Sequence, residues 1–247
     1  MRKYNLNFIT DENIFNHVKK TVEKYRFEIN LKSFNKNLID PIKMTFDSKI
    51  YNKSIEETIE SEIIRQIDKT NTNEIGYFHQ NLFKYIDQSW VVPEHGFDVV
   101  NEKKHFFVEM KNKHNTMNSS SSQKTYMRMM NKISKDKKAV CALVEVIAKK
   151  SGNEVWKISL DGESVSDKRI RKISIDKFYS LVTGQENSFK DLCEKLPMIL
   201  EDVLEVIDDR FKSNTVFAEL KEISPNLLKS IYLLSFSKYE GFDKFEI

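Results

Sequence analysis

Several things are scarce in this chain, and each scarcity removes a class of explanation. Only two cysteines occur, Cys141 and Cys193, in no recurring spacing. Neither a disulfide framework nor a cysteine zinc site organises the fold, and both read as buried or free thiols of a reducing cytosol. Five histidines (His17, His79, His95, His105, His114) are scattered without metal-ligand spacing. Glycines number six and prolines four in 247 residues, too few for long disordered linkers. No apolar run reaches 18 residues, and the opening MRKYNLNFITDENIF has no apolar signal core. The expectation is a cytoplasmic protein without a membrane segment. A glycine-rich phosphate loop and a nucleophile elbow are missing as well, which argues against nucleotide hydrolysis and serine-hydrolase chemistry.

What the chain does have is charge, unevenly placed. Charged residues make up 31% and hydrophobic residues 40%, ordinary for a globular protein, and the length fits one large domain or a core with a helical appendage. The net charge is only +3. Between Asn101 and Lys138, however, ten Lys/Arg stand against three acids, a local net of +7. From Glu186 to Arg210 three basic residues stand against eight acids, a net of −5. A basic segment set against an acidic one fits a polyanion partner; lysine-rich solvated faces are the plain alternative.

Hydrophobic periodicity predicts helices over 11–28 and 54–69, the second opened by a Ser54-x-x-Glu57 capping box, with apolar positions at 55, 59, 63 and 67. A separate helix over 73–86 carries Ile75, Phe78, Leu82 and Ile86 on one stripe. After Pro93 come short strands around 97–100 and 105–111, joined by Asn101-Glu102-Lys103-Lys104, then a polar link and a helix over 119–135. The nearly continuous apolar run AVCALVEVI (139–147) reads as a strand buried on both faces, and EVWKISL (154–160) as another joined to it through 149–153. From Asp176 onward the pattern is mostly helical, including a long acidic amphipathic stretch over 186–211. The expected class is α/β, a central mixed β-sheet flanked by helices in a single domain over 1–247. Its parts are an N-terminal helical part (1–72), a core (73–160) and a mostly helical C-terminal part (161–247).

The hairpin 97–111 invites a face analysis. With the turn at 101–104, Val100 faces His105 and Asp98 faces Phe107. Directly opposed residues share a face and side chains alternate along each strand. Asp98, Phe107, Glu109 and Lys111 then project from one face. Phe97, Val99, Phe106, Val108 and Met110 project from the other, which is entirely apolar and is expected to be the core face. The first face gathers two acids and a lysine within about 5–8 Å of one another. Two carboxylates can hold Mg²⁺, which prefers oxygen ligands and keeps several waters, while a lysine beside them orients a water on a phosphodiester. The alternative is a cross-strand surface salt bridge, worth at most about 1 kcal/mol.

Gly96-Phe97-Asp98 followed by Val108-Glu109-Met110-Lys111 resembles the D…E-x-K centre of the PD-(D/E)XK nuclease superfamily, with Phe97 where a proline is usual. The wider blocks EIGYFHQNLFKYI, WVVPEHGFDV and VEMKNKHNTMNSSSSQKTYMRM resemble type II restriction endonucleases, nearest the group that cleaves GGNCC or GGWCC sites. The resemblance is strongest over 73–131, looser over 174–197, and weakens toward both ends. It implies a restriction-endonuclease-like core and Mg²⁺-dependent hydrolysis of double-stranded DNA by a homodimer in a prokaryotic cytoplasm. It also implies 5′-phosphate ends and a cognate DNA methyltransferase encoded nearby. Asp98 and Glu109 become metal ligands and Lys111 the water-orienting lysine. Glu74, read as opening the helix before the hairpin, matches an acid that many members place near the metal; a helix-dipole acid is its alternative. A structure-selective repair or junction-resolving nuclease of the same superfamily, or a non-catalytic DNA-binding protein, remain the competing readings.

If Glu109 and Lys111 meet a phosphate, the residues after them meet the DNA. Asn112, Lys113, Asn115, Thr116, Asn118, Ser119, Gln123 and Lys124 are the types that contact phosphates and base edges. Capping of the helix over 119–135 is the competing use for the serines. Trp90 and Trp156 read as core, and His79 as a hydrogen-bonded helix histidine.

Overall fold

Five strands pair into one sheet in the order β1-β2-β3-β5-β4: β1 (Val99–Asn101), β2 (Phe106–Lys113), β3 (Val140–Ile147), β4 (Asn153–Leu160) and β5 (Glu163–Ser174). The computed structural model describes residues 2–160, 162–207, 214–239 and 245–247. β3 runs parallel to both β2 and β5, while β1 and β4 are antiparallel edges. Residues 141–145 of β3 are all buried, as a strand covered on both faces requires. The mixed sheet with helices on both sides is the α/β core expected.

The strand over 154–160, joined in sequence to β3, does not pair with it; β5 lies between them. β5 escaped notice because its sequence, ESVSDKRIRKIS, is charged along most of its length and buries few apolar side chains, Ile170 and Ile173 among them.

One face of the sheet is covered by α5 (Ser119–Lys135). Its stripe Tyr126, Met129 and Ile133 packs on Val100, Phe107, Cys141, Leu143 and Ile170. The spacing of that stripe is why this segment is a helix: three apolar side chains at i, i+3 and i+7 lie on one side. Asn118 caps it, its Oδ1 accepting the Ser121 N–H at 2.8 Å. On the other face Phe106 meets Trp90 and Phe178 of α6 (Ile175–Thr183), with ring centroids 5.8 and 6.3 Å away. Trp90 and Trp156 are both core, and His79 is buried with its Nδ1 3.2 Å from the Tyr179 hydroxyl. Burial pushes the His79 imidazole down to about 4, so it is neutral there.

The chain divides into two compact units, residues 1–23 with 75–206, and residues 24–74 with 207–247. The first unit contains the sheet, α5, α6, α7 (Ser188–Glu205) and most of α1 (Asp11–Lys24). Asp202 of α7 is buried there, accepting from Arg2 and from the Tyr4 hydroxyl, which hold its carboxyl down at about 2. The second unit is helical: α2 (Leu31–Asn35), α3 (Pro41–Ile50), α8 (Val216–Ile223) and α9 (Leu227–Phe236) close around Phe34, Met44, Ile59, Ile63, Leu220 and Ile231.

The two helices expected over 54–69 and 73–86 are one, α4 (Ile55–Ile86). Its capping box forms as read: Glu57 N–H donates to Ser54 Oγ at 3.1 Å and Ser54 N–H to Glu57 Oε2 at 2.7 Å. The residues between the two expected helices, Thr70-Asn71-Thr72, include no proline or glycine, and the helix runs through them. Of the second stripe Phe78 and Leu82 are buried, whereas Ile75 is 38% exposed. The acidic stretch over 186–211 is α7 as far as Glu205; residues 208–211 lie outside the described residues. Among the described residues no helix is long and apolar enough to cross a membrane.

Candidate active site

The hairpin that carries the acids closes two residues out of the expected register. Residues 102–105 form the turn, His105 takes a left-handed φ of 51°, and Asn101 pairs with Phe106. Val99 therefore pairs with Val108, and Asp98, one residue before β1, lies close enough to Glu109 for that charge to act on its carboxyl. A slip of two residues keeps every side chain of a strand on its face. The two acids thus stay neighbours despite the shifted register.

Asp98 is locked to β2 by backbone as well. Its N–H donates to the Val108 carbonyl at 2.9 Å, and its Oδ2 accepts the Met110 N–H at 2.7 Å. The carboxylate stands where a strand carbonyl would continue the ladder. Burial pushes the Asp98 carboxyl above its ordinary value, and the Glu109 charge pushes it further; the Met110 N–H, Lys111 and Arg128 pull the other way.

Glu109 is buried, with Lys111 Nζ 2.8 Å from its Oε1. This is the second correction to the face analysis, because both faces of β2 are core. Phe107, Val108, Glu109 and Met110 are each no more than 7% exposed. Phe97 also lies with Phe107, ring centroids 5.5 Å apart, on the side of the acids and not with Val108. An exposed cross-strand salt bridge is excluded by the burial of Glu109.

Sequence reasoning missed Arg128. On α5 it flanks the buried stripe, and its Nη2 donates to Glu109 Oε2, its Nη1 to the Gly96 carbonyl at 3.0 Å, while the guanidinium carbon lies 5.2 Å from the Phe97 ring centroid. One turn on, Lys132 Nζ sits 3.8 Å over Phe107. The only hint in the sequence is a cation beside the apolar helix stripe, which acquires meaning once α5 is known to cover β2. Both Glu109 oxygens are thus in ion pairs. Across the parallel register Lys111 aligns with Glu145 of β3, itself buried and paired with Lys172 Nζ at 2.7 Å.

No group of three or more His, Cys, Asp or Glu forms a metal cluster among the described residues. The residues present nonetheless suit a hard divalent cation. Asp98 and Glu109 are oxygen donors held together against mutual repulsion, which a cation between them relieves, and Mg²⁺ completes its shell with water and phosphate oxygens.

The polar run after Lys111 separates into two kinds of residue. Asn112 is half-buried and turned onto α4, where a Cβ on Gly76 would come within 3.3 Å of its Oδ1; a glycine is what lets the amide approach. Asn118 is the cap of α5, and Gln123 Nε2 donates to the Ser159 carbonyl of β4 at 2.9 Å. Lys113, Asn115, Thr116, Ser119 and Lys124 are exposed, Thr116 closing a turn by donating to the Lys113 carbonyl at 2.8 Å. Glu74 does not open a helix: it lies inside α4, in the second unit, where burial first, then the charge of Asp68 and last that of Glu74 raise the Tyr25 phenol.

The chain was also compared with known proteins. Residues 6–205 match the family described as Eco47II restriction endonuclease. The type II restriction enzyme Sau96I of Staphylococcus aureus is 35% identical over 228 residues, 87% of this chain and 87% of that one. The type II restriction enzyme Eco47II of Escherichia coli is 31% identical over 212 residues, 81% of this chain and 88% of its own. No solved structure matches. With its α/β core and with Asp98, Glu109 and Lys111 gathered at one end of β2, the chain belongs to the Eco47II restriction endonuclease family, a family of type II site-specific deoxyribonucleases.

Proposed function

We propose that this protein is a Mg²⁺-dependent homodimeric endonuclease. On this reading it hydrolyses double-stranded DNA at a GGNCC-like palindrome, leaves 5′-phosphate ends, and works beside a cognate methyltransferase that protects the host site. The observation that carries the reading is the forced proximity of Asp98 and Glu109 with Lys111 bonded to one of them. Asp98 and Glu109 would hold the ion; when bound, it supplies positive charge against the phosphate and acidifies a water. Lys111, as an ammonium group, orients the attacking water and stabilises charge on the phosphoryl oxygens. The Met110 N–H and the hairpin register fix Asp98 so that this geometry exists before substrate arrives. Lys113, Asn115, Thr116, Ser119 and Lys124, exposed beyond the centre, meet the DNA. A palindrome presents two equivalent strands, and two-fold symmetry supplies one centre to each.

The test is digestion of unmethylated DNA of known sequence with Mg²⁺, with the ends mapped. Wild type should give a discrete fragment ladder cut at one palindrome, and Asp98→Ala and Lys111→Ala should give none while folding normally. Wild-type cleavage by both variants, or cutting confined to branched DNA, would sink the proposal.

A further inference from the structure

Arg128 is held by three contacts that do different things. The Gly96 carbonyl and the Phe97 ring fix where the guanidinium lies, and Glu109 Oε2 takes its charge. Its Nε is buried and has no acceptor among the described residues. A guanidinium has five N–H donors, so this one has capacity left over. Glu109 for its part is fully engaged, Lys111 on one oxygen and Arg128 on the other. Two acids and two cations make the centre neutral as it stands.

A divalent cation brought to Asp98 and Glu109 changes that balance. Its charge would meet those of Lys111 and Arg128 around the same Glu109 carboxylate. Lys111 is two residues along the same strand and moves with Glu109; Arg128 comes from another element and is 40% exposed, so it is the partner free to leave. Phosphate is, beside carboxylate, the acceptor that the planar fork of a guanidinium binds with two parallel bonds.

Resting on the metal-dependent reading above, we propose that Arg128 is a positioning residue exchanged between two anions. It holds Glu109 while no cation is bound, competes with the cation for that carboxylate, and passes to a DNA phosphate when the cation takes its place. The stand-in for Glu109's lost partner is the metal, and the stand-in for Arg128's is the substrate.

The experiment uses Ca²⁺ as a probe that occupies such a centre without turnover, measured by calorimetry on the full-length protein with and without DNA. Removing the competitor in Arg128→Ala should tighten Ca²⁺ binding to the free protein by about tenfold, the size of one charge-assisted hydrogen bond given up. The same variant, with Ca²⁺ bound, should bind DNA more weakly and lower the slope of log affinity against log salt by about one phosphate contact. Arg128→Lys, which keeps the charge without the fork, should restore the Ca²⁺ affinity of wild type and part of the DNA affinity. A variant that merely loosened the fold would weaken both, and Arg128→Gln serves in its place if Arg128→Ala does not fold. Unchanged or weaker Ca²⁺ binding in the folded variants would overturn the competition, and an unchanged salt slope would overturn the transfer to phosphate. Asp98→Asn keeps the two ideas separable. If it binds Ca²⁺ like wild type, the metal centre itself is misassigned; if it loses Ca²⁺ while Arg128→Ala gains none, only the exchange fails.

Discussion

Glu109 and Glu145 share burial and a lysine partner, yet the proposed metal centre takes only one of them. They stand on adjacent parallel strands, both nearly sealed from water at 7% and 3% exposure, each with a lysine ammonium on its Oε1, at 2.8 and 2.7 Å. Both project, in neighbouring rows, from the face of the sheet that α5 covers. The difference is what else lies near. Glu109 has a second acid, Asp98, within reach of its charge and Arg128 on its other oxygen, whereas Glu145 aligns with Lys111 and Ser174. A buried ion pair is a common structural solution; a half-buried acid set beside a buried one carries a cost that a bound cation would relieve.

Replacing each glutamate by glutamine separates the two roles. Glu109→Gln should lower the cleavage rate by at least about 10³-fold, about 4 kcal/mol of barrier. Glu145→Gln should lower stability by about 1–3 kcal/mol through the lost charge-assisted bond and leave the cleavage rate of the folded protein within about threefold. Urea unfolding and plasmid-cleavage rates measure both. If folded Glu145→Gln protein cannot cut DNA, the distinction drawn here is wrong and the centre extends onto β3.

The cost carried by Asp98 should itself be measurable. Its carboxyl lies above the ordinary value in the folded protein, so the folded state binds that proton more tightly than the unfolded chain does. Stability from this group is therefore full below the unfolded value and falls as pH rises through the folded one. At neutral pH without metal, Asp98 is a net burden and Asp98→Asn, which can still accept from Met110 N–H, should melt at a higher temperature than wild type while cutting nothing. The gain should vanish near pH 3, where Asp98 is protonated anyway. A lower melting temperature at neutral pH, without metal, would show that Asp98 is stabilised and not stressed.

How much of this could be read from the residues alone follows the range of the interactions. Val108-Glu109-Met110-Lys111, the capping box at Ser54 and the buried run 139–147 depend on neighbours in sequence, and they formed as read. The hairpin register was two residues off because a turn of 101–104 and one of 102–105 differ only in whether His105 accepts a left-handed backbone. Alternation protected the conclusion about faces from that error. Arg128 and β5 stayed hidden for another reason: their meaning is set by elements packed across the sheet, and no periodicity within a segment encodes what will lie on top of it.

The same separation of site from scaffold reappears in miniature in the polar run that follows Lys111. Asn118 is fastened to the Ser121 N–H, whereas Lys113 extends from the end of β2 into solvent. Asn118→Ala should lower stability by about 1 kcal/mol, the ordinary cost of a lost helix cap, and leave the salt dependence of DNA binding as it was. Lys113→Ala should do the reverse, leaving the melting temperature within a degree or two and reducing the salt slope by about one. Because one phosphate contact weakens all sequences alike, its loss should lower affinity for cognate and unrelated DNA by the same factor. A Lys113→Ala protein that lost affinity only for its palindrome would place this lysine on a base edge instead, and would move the boundary between reading and anchoring to the first exposed residue beyond the centre.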